Sequence, residues 1–250
     1  MSIEFENGEQ FEADIVVGAD GVHSTVRSWV TGEQPPVYTR TSGFRGLVPV
    51  AALPSLPDPL AVQFWMGPDA HLLHYAISGG QLVNFLAVSE GPAVWPSRDN
   101  TLAARDGELA AHFAGWHPAV REMIDAVPQS VRWALVHQPP LRHWSRGRAV
   151  LIGDAAHTML PHQGQGANQA IEDAFVLARC LATSPGTAFE RYQRLRRTRT
   201  RLIQASSLAT SALLHLPDGP DALARDANLA EFPNRFGWIH DHDVAAAALS

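Results

Sequence analysis

Residues 148–181 read R-A-V-L-I-G-D-A-A-H-T-M-L-P-H-Q-G-Q-G-A-N-Q-A-I-E-D-A-F-V-L-A-R-C-L. The stretch opens on an apolar run, 149–152, which has the length of a buried parallel strand. Gly153 and Asp154 end that run. A loop bearing Pro161, Gly164 and Gly166 follows. A helix is predicted from near Ala167, with apolar residues at Ile171, Ala174, Phe175, Ala178 and Leu181 at near-helical spacing. The order is therefore strand, acidic stop, glycine-bearing loop, helix N-terminus. Such a layout presents backbone N–H groups and the positive end of a helix dipole to an electron-rich ligand.

A second stretch repeats the theme closer to the start. Residues 15–27, I-V-V-G-A-D-G-V-H-S-T-V-R, form an apolar strand that ends at a small-residue turn carrying an acid. Ser24 is placed to cap a short helix beginning near Thr25. Ahead of it, 1–5 and 10–17 are strand-like runs around Asn7-Gly8, a pair that favours a hairpin because both central residues accept positive φ.

Between these stretches the chain changes character. Residues 41–48, with Phe44 and Arg45, read as a strand, and Pro49, Pro54, Pro57 and Pro59 make 49–60 a connection. Three more strands are predicted at 61–66, 71–78 and 81–90, the last two joined at Gly79-Gly80. This pattern is antiparallel and suggests a separate sheet layer covering a ligand. Helices are expected over 101–113 and over 118–126, the latter with Val120, Met123 and Ile124 on one face, and a strand over 131–137. A long helix is predicted over 189–214, stopped by Pro217. Its Arg191, Arg194, Arg196, Arg197, Arg199 and Arg201 are read as a solvated face rather than a phosphate or nucleic-acid patch. Tyr192, Leu195, Leu202 and Ile203 are expected to pack inward.

The composition sets limits. The chain has 250 residues, 46% of them hydrophobic, enough for a substantial core. Its formal charge of −6 argues against nucleic acid or an anionic membrane as a partner. One cysteine, Cys180, forms no internal disulfide and is read as a small core residue. With no apolar run of about 18 residues and no signal peptide, a soluble cytoplasmic protein is expected. No metal-ligand cluster and no Ser–His–Asp order stands out; His137 and His143 lack ligand-like partners at suitable spacing.

The two stretches also carry a resemblance. D-G-V-H-S-T-V-R (20–27) resembles the D-G-x-x-S-x-x-R motif of flavoprotein aromatic hydroxylases. G-D-A-A-H…P-H-Q-G-Q-G-A-N…E-D-A (153–174) resembles the second FAD motif of the same family, in the same order. F-R-G-L-V-P (44–49) and H-L-L-H-Y-A-I-S-G-G-Q-L-V-N (71–84) are similar to salicylate-hydroxylase-like members of the para-hydroxybenzoate hydroxylase family. Family members begin with a β-α-β unit carrying G-x-G-x-x-G, which holds the ADP half of FAD. That pattern does not occur here, so the chain is expected to be the C-terminal part of a longer enzyme: a fragment, a mis-called start or half of a split protein.

The resemblance implies an α/β fold, an incomplete FAD/NAD(P)-binding (Rossmann-like) domain with an inserted antiparallel-sheet substrate domain. The segments would be 1–40 in the FAD-binding domain, 41–140 in the substrate domain, 141–185 back in the FAD-binding domain, and 186–250 as a C-terminal helical segment. It implies FAD as cofactor, NADH or NADPH as reductant, and hydroxylation of a small aromatic substrate by dioxygen. Asp154 would bind the ribityl chain, with Gly153 allowing close approach. Gly164, Gln165, Gly166, Ala167 and Asn168 would form the turn whose N–H groups face the flavin, and Pro161 would lie near its reactive face. Asp20, Gly21 and Arg27 would serve FAD or NAD(P)H, or simply the local fold. His157 and His162 are open between a supporting role and the surface. The substrate is expected between the flavin loop and the antiparallel sheet. His71 and Tyr75 share a strand face by the period of two, suited to deprotonating a phenol or to plain cross-strand packing; Arg45 is a candidate for a substrate carboxylate. A homodimer or a complementing N-terminal half is the partner weighed, without nucleic acid, membrane or metal. A related epoxidase or reductase, and an inactive remnant or binding half, are the alternative functions.

Overall fold

The computed structural model describes residues 1–97, 99–127 and 130–247. In chain order its strands are β1 (Ser2–Glu4), β2 (Gln10–Glu12), β3 (Val16–Gly18), β4 (Val37–Pro49), β5 (Gln63–Gly67), β6 (Ala70–Ile77), β7 (Leu82–Glu90), β8 (Thr101–Ala103), β9 (Val131–His137), β10 (Ser145–Arg146) and β11 (Ala149–Leu151). The helices are α1 (Thr25–Thr31), α2 (Glu108–His112), α3 (Pro118–Asp125), α4 (Asp154–His157), α5 (Gly166–Thr183), α6 (Ala188–Leu214), α7 (Pro220–Ala227), α8 (Phe232–His240) and α9 (Val244–Ala247). No described helix is long and apolar enough to cross a membrane.

Contacts divide the chain into two units. The first holds Met1–Val37, Val136–Thr210 and the described residues from Glu231 on. Here β1 and β2 pair across a loop that holds Asn7-Gly8. Gly8 takes positive φ, at 83°, but Asn7 does not, so the expected turn with both residues left-handed is replaced by a three-residue loop closed by the Phe5–Glu9 pair. A second sheet has the order β10-β11-β3, and β11 runs parallel to β3. Ala149, Val150 and Leu151 are fully buried, as an apolar run covered on both faces must be. They pack with Trp144, Val176, Leu177, Cys180 and Tyr192. The Tyr192 hydroxyl donates to the Leu151 carbonyl at 3.0 Å, which lets a phenol sit in this core.

Two expectations about helix faces fail in this unit. The buried residues of α5 are Gln169, Asp173, Val176, Leu177 and Cys180, whereas Ile171 is 67% and Phe175 40% exposed. The inward face of α5 begins with polar residues, so the apolar spacing points to the wrong side. On α6, Tyr192 and Ile203 are buried as expected, but Leu202 is 55% exposed and Arg196 is buried. A buried guanidinium requires partners, and these lie on α5.

The second unit, Tyr38–Leu135 with Ser211–Ala230, is built on an antiparallel sheet of order β5-β6-β7-β4-β9-β8. Phe44, Val48, Leu72, Val83, Phe85 and Ala87 cover one sheet face and pack against Leu109, Phe113, Val120 and Met123. Gly46 is required there: a Cβ at this position would lie 2.3 Å from the Phe85 ring. The expected helix over 101–113 is instead β8, paired with β9, followed by the short α2. Gly107, left-handed at φ 70°, separates the two.

Candidate functional site

The register of the parallel pair is Ala149↔Val16, Val150↔Val17 and Leu151↔Gly18. Both acidic turns, Asp20-Gly21 and Gly153-Asp154, therefore leave the sheet at the same end. In parallel sheets that is the end where ligands bind. Gly18 permits the arrangement, since a Cβ there would lie 2.8 Å from Val26 and 2.9 Å from Leu151.

In the first turn, Asp20 accepts hydrogen bonds from Ser24 Oγ (2.5 Å) and the Val26 N–H (3.0 Å). Burial raises its pKa, but these bonds outweigh burial and hold the carboxyl below its ordinary value. Ser24 caps α1 through the Arg27 N–H, at 2.8 Å. Arg27 is buried. Its guanidinium donates to the Val22 carbonyl (2.7 Å) and the Ala155 carbonyl (3.3 Å), which ties the first turn to the helix after the second. Gly21 sits at φ 78°.

The second turn is arranged differently. Gly153 has φ 59° and ψ −140°, a conformation that favours glycine, and a Cβ on it would lie 3.1 Å from Ala170 Cβ. Asp154 follows as the first residue of α4 and is exposed. Its carboxylate accepts no hydrogen bond among the described residues. Desolvation by the surrounding protein pushes its pKa up, with the nearby His157 opposing. A carboxylate held this way is an open acceptor for ligand hydroxyls. Pro161 starts a single helical turn, Pro161–Gln163, closed by Gly164 at φ 62°. Gln165 is the N-cap of α5 and makes no side-chain capping bond. The first-turn N–H groups, on Gly166, Ala167 and Asn168, are left to a ligand or solvent.

Asp173 braces this turn from below, a role the sequence reading did not assign. Its Oδ2 accepts from the Gly153 N–H (2.9 Å) and lies 2.6 Å from His157 Nε2. Its Oδ1 accepts from Arg196 Nε at 2.7 Å. Burial raises the Asp173 pKa, yet His157 and Arg196 outweigh it and leave the carboxyl below its ordinary value. Arg196 also donates to Glu172 and to Gln169 Oε1 (2.7 Å), and Arg199 pairs with Glu172 as well. His157 thus supports the turn from inside, and His162 is buried too.

In the second unit the strand registers place Arg45, His71 and Tyr75 on one sheet face. Arg45 pairs across β4–β7 with Leu86, which pairs with Leu73 of β6, midway between His71 and Tyr75. This face is opposite to the one carrying Phe44, Leu72 and Phe85. Arg45 is exposed, with its guanidinium 5.9 Å from the centre of the Trp133 ring. Tyr75 is partly exposed. His71 is buried, and its Nδ1 lies 2.7 Å from Nε2 of His215, just past the end of α6. Burial lowers the His215 pKa, with Asp69 opposing. His215 has no signal in the sequence, because it stands 144 residues from its partner.

Comparison with known proteins places these features in a family. The chain is 42% identical over 250 residues to a 3-amino-4-hydroxybenzoate 2-monooxygenase of Streptomyces platensis, covering 98% of this chain and 63% of that protein. It is 34% identical to a salicylate hydroxylase of Pseudomonas putida, covering 98% of this chain and 62% of the relative. A solved salicylate hydroxylase substrate complex superimposes with a TM-score of 0.84 at 32% identity, over 99% of this chain and 66% of that one. The chain thus spans about 63% of the length of the curated relatives it matches. The FAD binding domain model matches residues 3–203, and the chain belongs to that family.

Proposed function

We propose that the chain is part of a FAD-dependent monooxygenase that hydroxylates a small aromatic, salicylate- or hydroxybenzoate-like substrate in the cytoplasm. The observation that carries the reading is the open Asp154 carboxylate beside the uncapped N-terminus of α5, at the ligand-binding end of a parallel strand pair. The relatives named above support the reaction class. Asp154 would accept hydrogen bonds from the ribityl hydroxyls, and Gly153 would let the backbone approach that chain. The N–H groups of Gly166, Ala167 and Asn168 would favour negative charge on the flavin, with Gly164 and Gln165 shaping the turn and Pro161 beside it. Asp20, Gly21 and Arg27 hold the first turn against the second. When bound, FAD supplies the redox chemistry that uses NADH or NADPH and dioxygen. Arg45 binds a substrate carboxylate and the exposed Tyr75 Oη hydrogen-bonds the phenol, while His71, four residues away on β6 and buried against His215, supports the same sheet face.

Among the described residues no strand pairs with the outer edge of β3, which favours a second reading, in which flavin retention needs a strand donated by a partner chain. Both readings are tested by the visible absorbance of the purified chain with added FAD. Measurements are made alone and with a separately supplied segment carrying G-x-G-x-x-G. Colour in the chain alone supports the first reading, and colour only with the segment supports the second. A protein that stays colourless in both overturns the flavin site. Asp154→Ala is expected to lower flavin content; unchanged content removes Asp154 from the site.

A further inference from the structure

Five of the six arginines of α6 divide into two groups. Arg196 and Arg199 face α5 and are neutralised by Glu172 and Asp173. Arg194, Arg197 and Arg201 follow the spacing i, i+3, i+7, which places them along one stripe of the helix. That stripe forms a wall of an open cleft of about 910 Å³, to which residues 140–145 contribute Arg142 and His143. Among the described residues, none of these four guanidiniums makes an ion pair or donates a hydrogen bond. Among the described residues, Glu190 is the single carboxylate lining the cleft, so four fixed positive charges stand against one negative charge. The protein as a whole carries −6. This positive charge is therefore local, and its mutual repulsion is relieved by a bound anion.

The cleft is also held in shape. Gln193 Oε1 accepts the Trp144 N–H at 2.6 Å, and Gln204 Nε2 donates to the Gln138 carbonyl at 2.9 Å and the Thr158 carbonyl at 3.0 Å. α6 thus pins the facing segment near both ends of the arginine stripe. We propose that this cleft binds the diphosphate group of a small molecule through Arg142, Arg194, Arg197 and Arg201. Planar guanidiniums suit phosphate oxygens because each offers paired donors. Two sources share this chemistry: free pyrophosphate, and the diphosphate of a pyridine dinucleotide. The dinucleotide source rests on the proposed function; the anion site itself does not.

The test is isothermal titration of the full 250-residue chain with inorganic pyrophosphate and, separately, with ADP-ribose, at low and high salt. Binding is expected to weaken with salt. It is expected to fall roughly tenfold or more in Arg194→Gln/Arg197→Gln/Arg201→Gln. Arg179→Gln, an exposed arginine of α5 outside the cleft, is expected to leave binding unchanged. Tighter binding of ADP-ribose than of pyrophosphate assigns the dinucleotide, and equal binding assigns the free anion. Absence of binding to the unaltered chain overturns the proposal, and so does an Arg179→Gln loss equal to that of the triple variant. Flavin content and the circular dichroism melt of the triple variant should match those of the unaltered chain, which separates failure of this site from failure of the flavin reading.

Discussion

Replacing Arg196 with methionine keeps most of the side-chain volume and removes the fork that closes the network under the Gly153 turn. Four hydrogen bonds go with it: to Asp173 Oδ1, to Glu172, and to the carbonyl and Oε1 of Gln169. Glu172 retains Arg199 and is partly solvated, so its loss is small. Asp173 is the costly residue. It has no exposed surface and would lose its cationic fork, keeping the Gly153 N–H and His157. Stripping one partner from a buried ion pair costs about 3–5 kcal/mol, against a total stability of about 5–15 kcal/mol for a typical domain. With a urea slope of about 2–3 kcal/mol/M, the midpoint should drop by roughly 1–2 M, read by far-UV circular dichroism. Adding Asp173→Leu removes the stranded charge, so the double variant should cost less than the sum of the singles, with a coupling of about 2 kcal/mol or more. A single-variant loss below about 1 kcal/mol, or an additive cycle, would refute the bracing role of Asp173.

Three further outcomes are expected. The Asp173 carboxyl is held below its ordinary value in the folded chain, so its stabilisation is present above that value and is lost as pH falls below about 4. Melting curves from pH 7 downward should show an acid limb that Asp173→Asn flattens; an unchanged limb would assign acid sensitivity elsewhere. Gly153→Ala imposes a side chain on φ 59° and places its Cβ 3.1 Å from Ala170, which should cost about 1–3 kcal/mol in urea unfolding and lower flavin content. Wild-type values for both would show that the turn needs no glycine. Gly46→Ala forces a methyl to within 2.3 Å of the Phe85 ring and 2.7 Å of Val127, and should destabilise by about 1–3 kcal/mol. A neutral result would mean that Phe85 swings aside at no cost.

Much of the fold is legible where short-range chemistry decides it. Asn7-Gly8 announces its hairpin, Ser24 its cap, and the alternating runs after Pro59 their strands, because each signal lies within a few residues of the element it specifies. The run 149–152 reads as a buried parallel strand for the same reason. What was missed depends on residues far apart in the chain. Arg196 looks like one member of a solvated basic run until Asp173, 23 positions earlier, is seen beneath it. The α5 face was misplaced because its inward positions include Gln169 and Asp173, which a count of apolar residues passes over. The helix expected over 101–113 gave way to a strand because β9 supplies a pairing edge that no local pattern reveals. In the second unit, the period of two aligned His71 with Tyr75 correctly, while His215 came from the far end of α6.

The bond from the Gly153 N–H to Asp173 has a kinetic consequence. The turn that presents Asp154 is locked by groups of the protein itself, on α5 and through Arg196 on α6. Its ordering entropy is therefore charged to folding rather than to ligand capture. A ligand arriving there meets a rigid receptor, so its association rate should follow diffusion and orientation rather than a slow rearrangement of the loop.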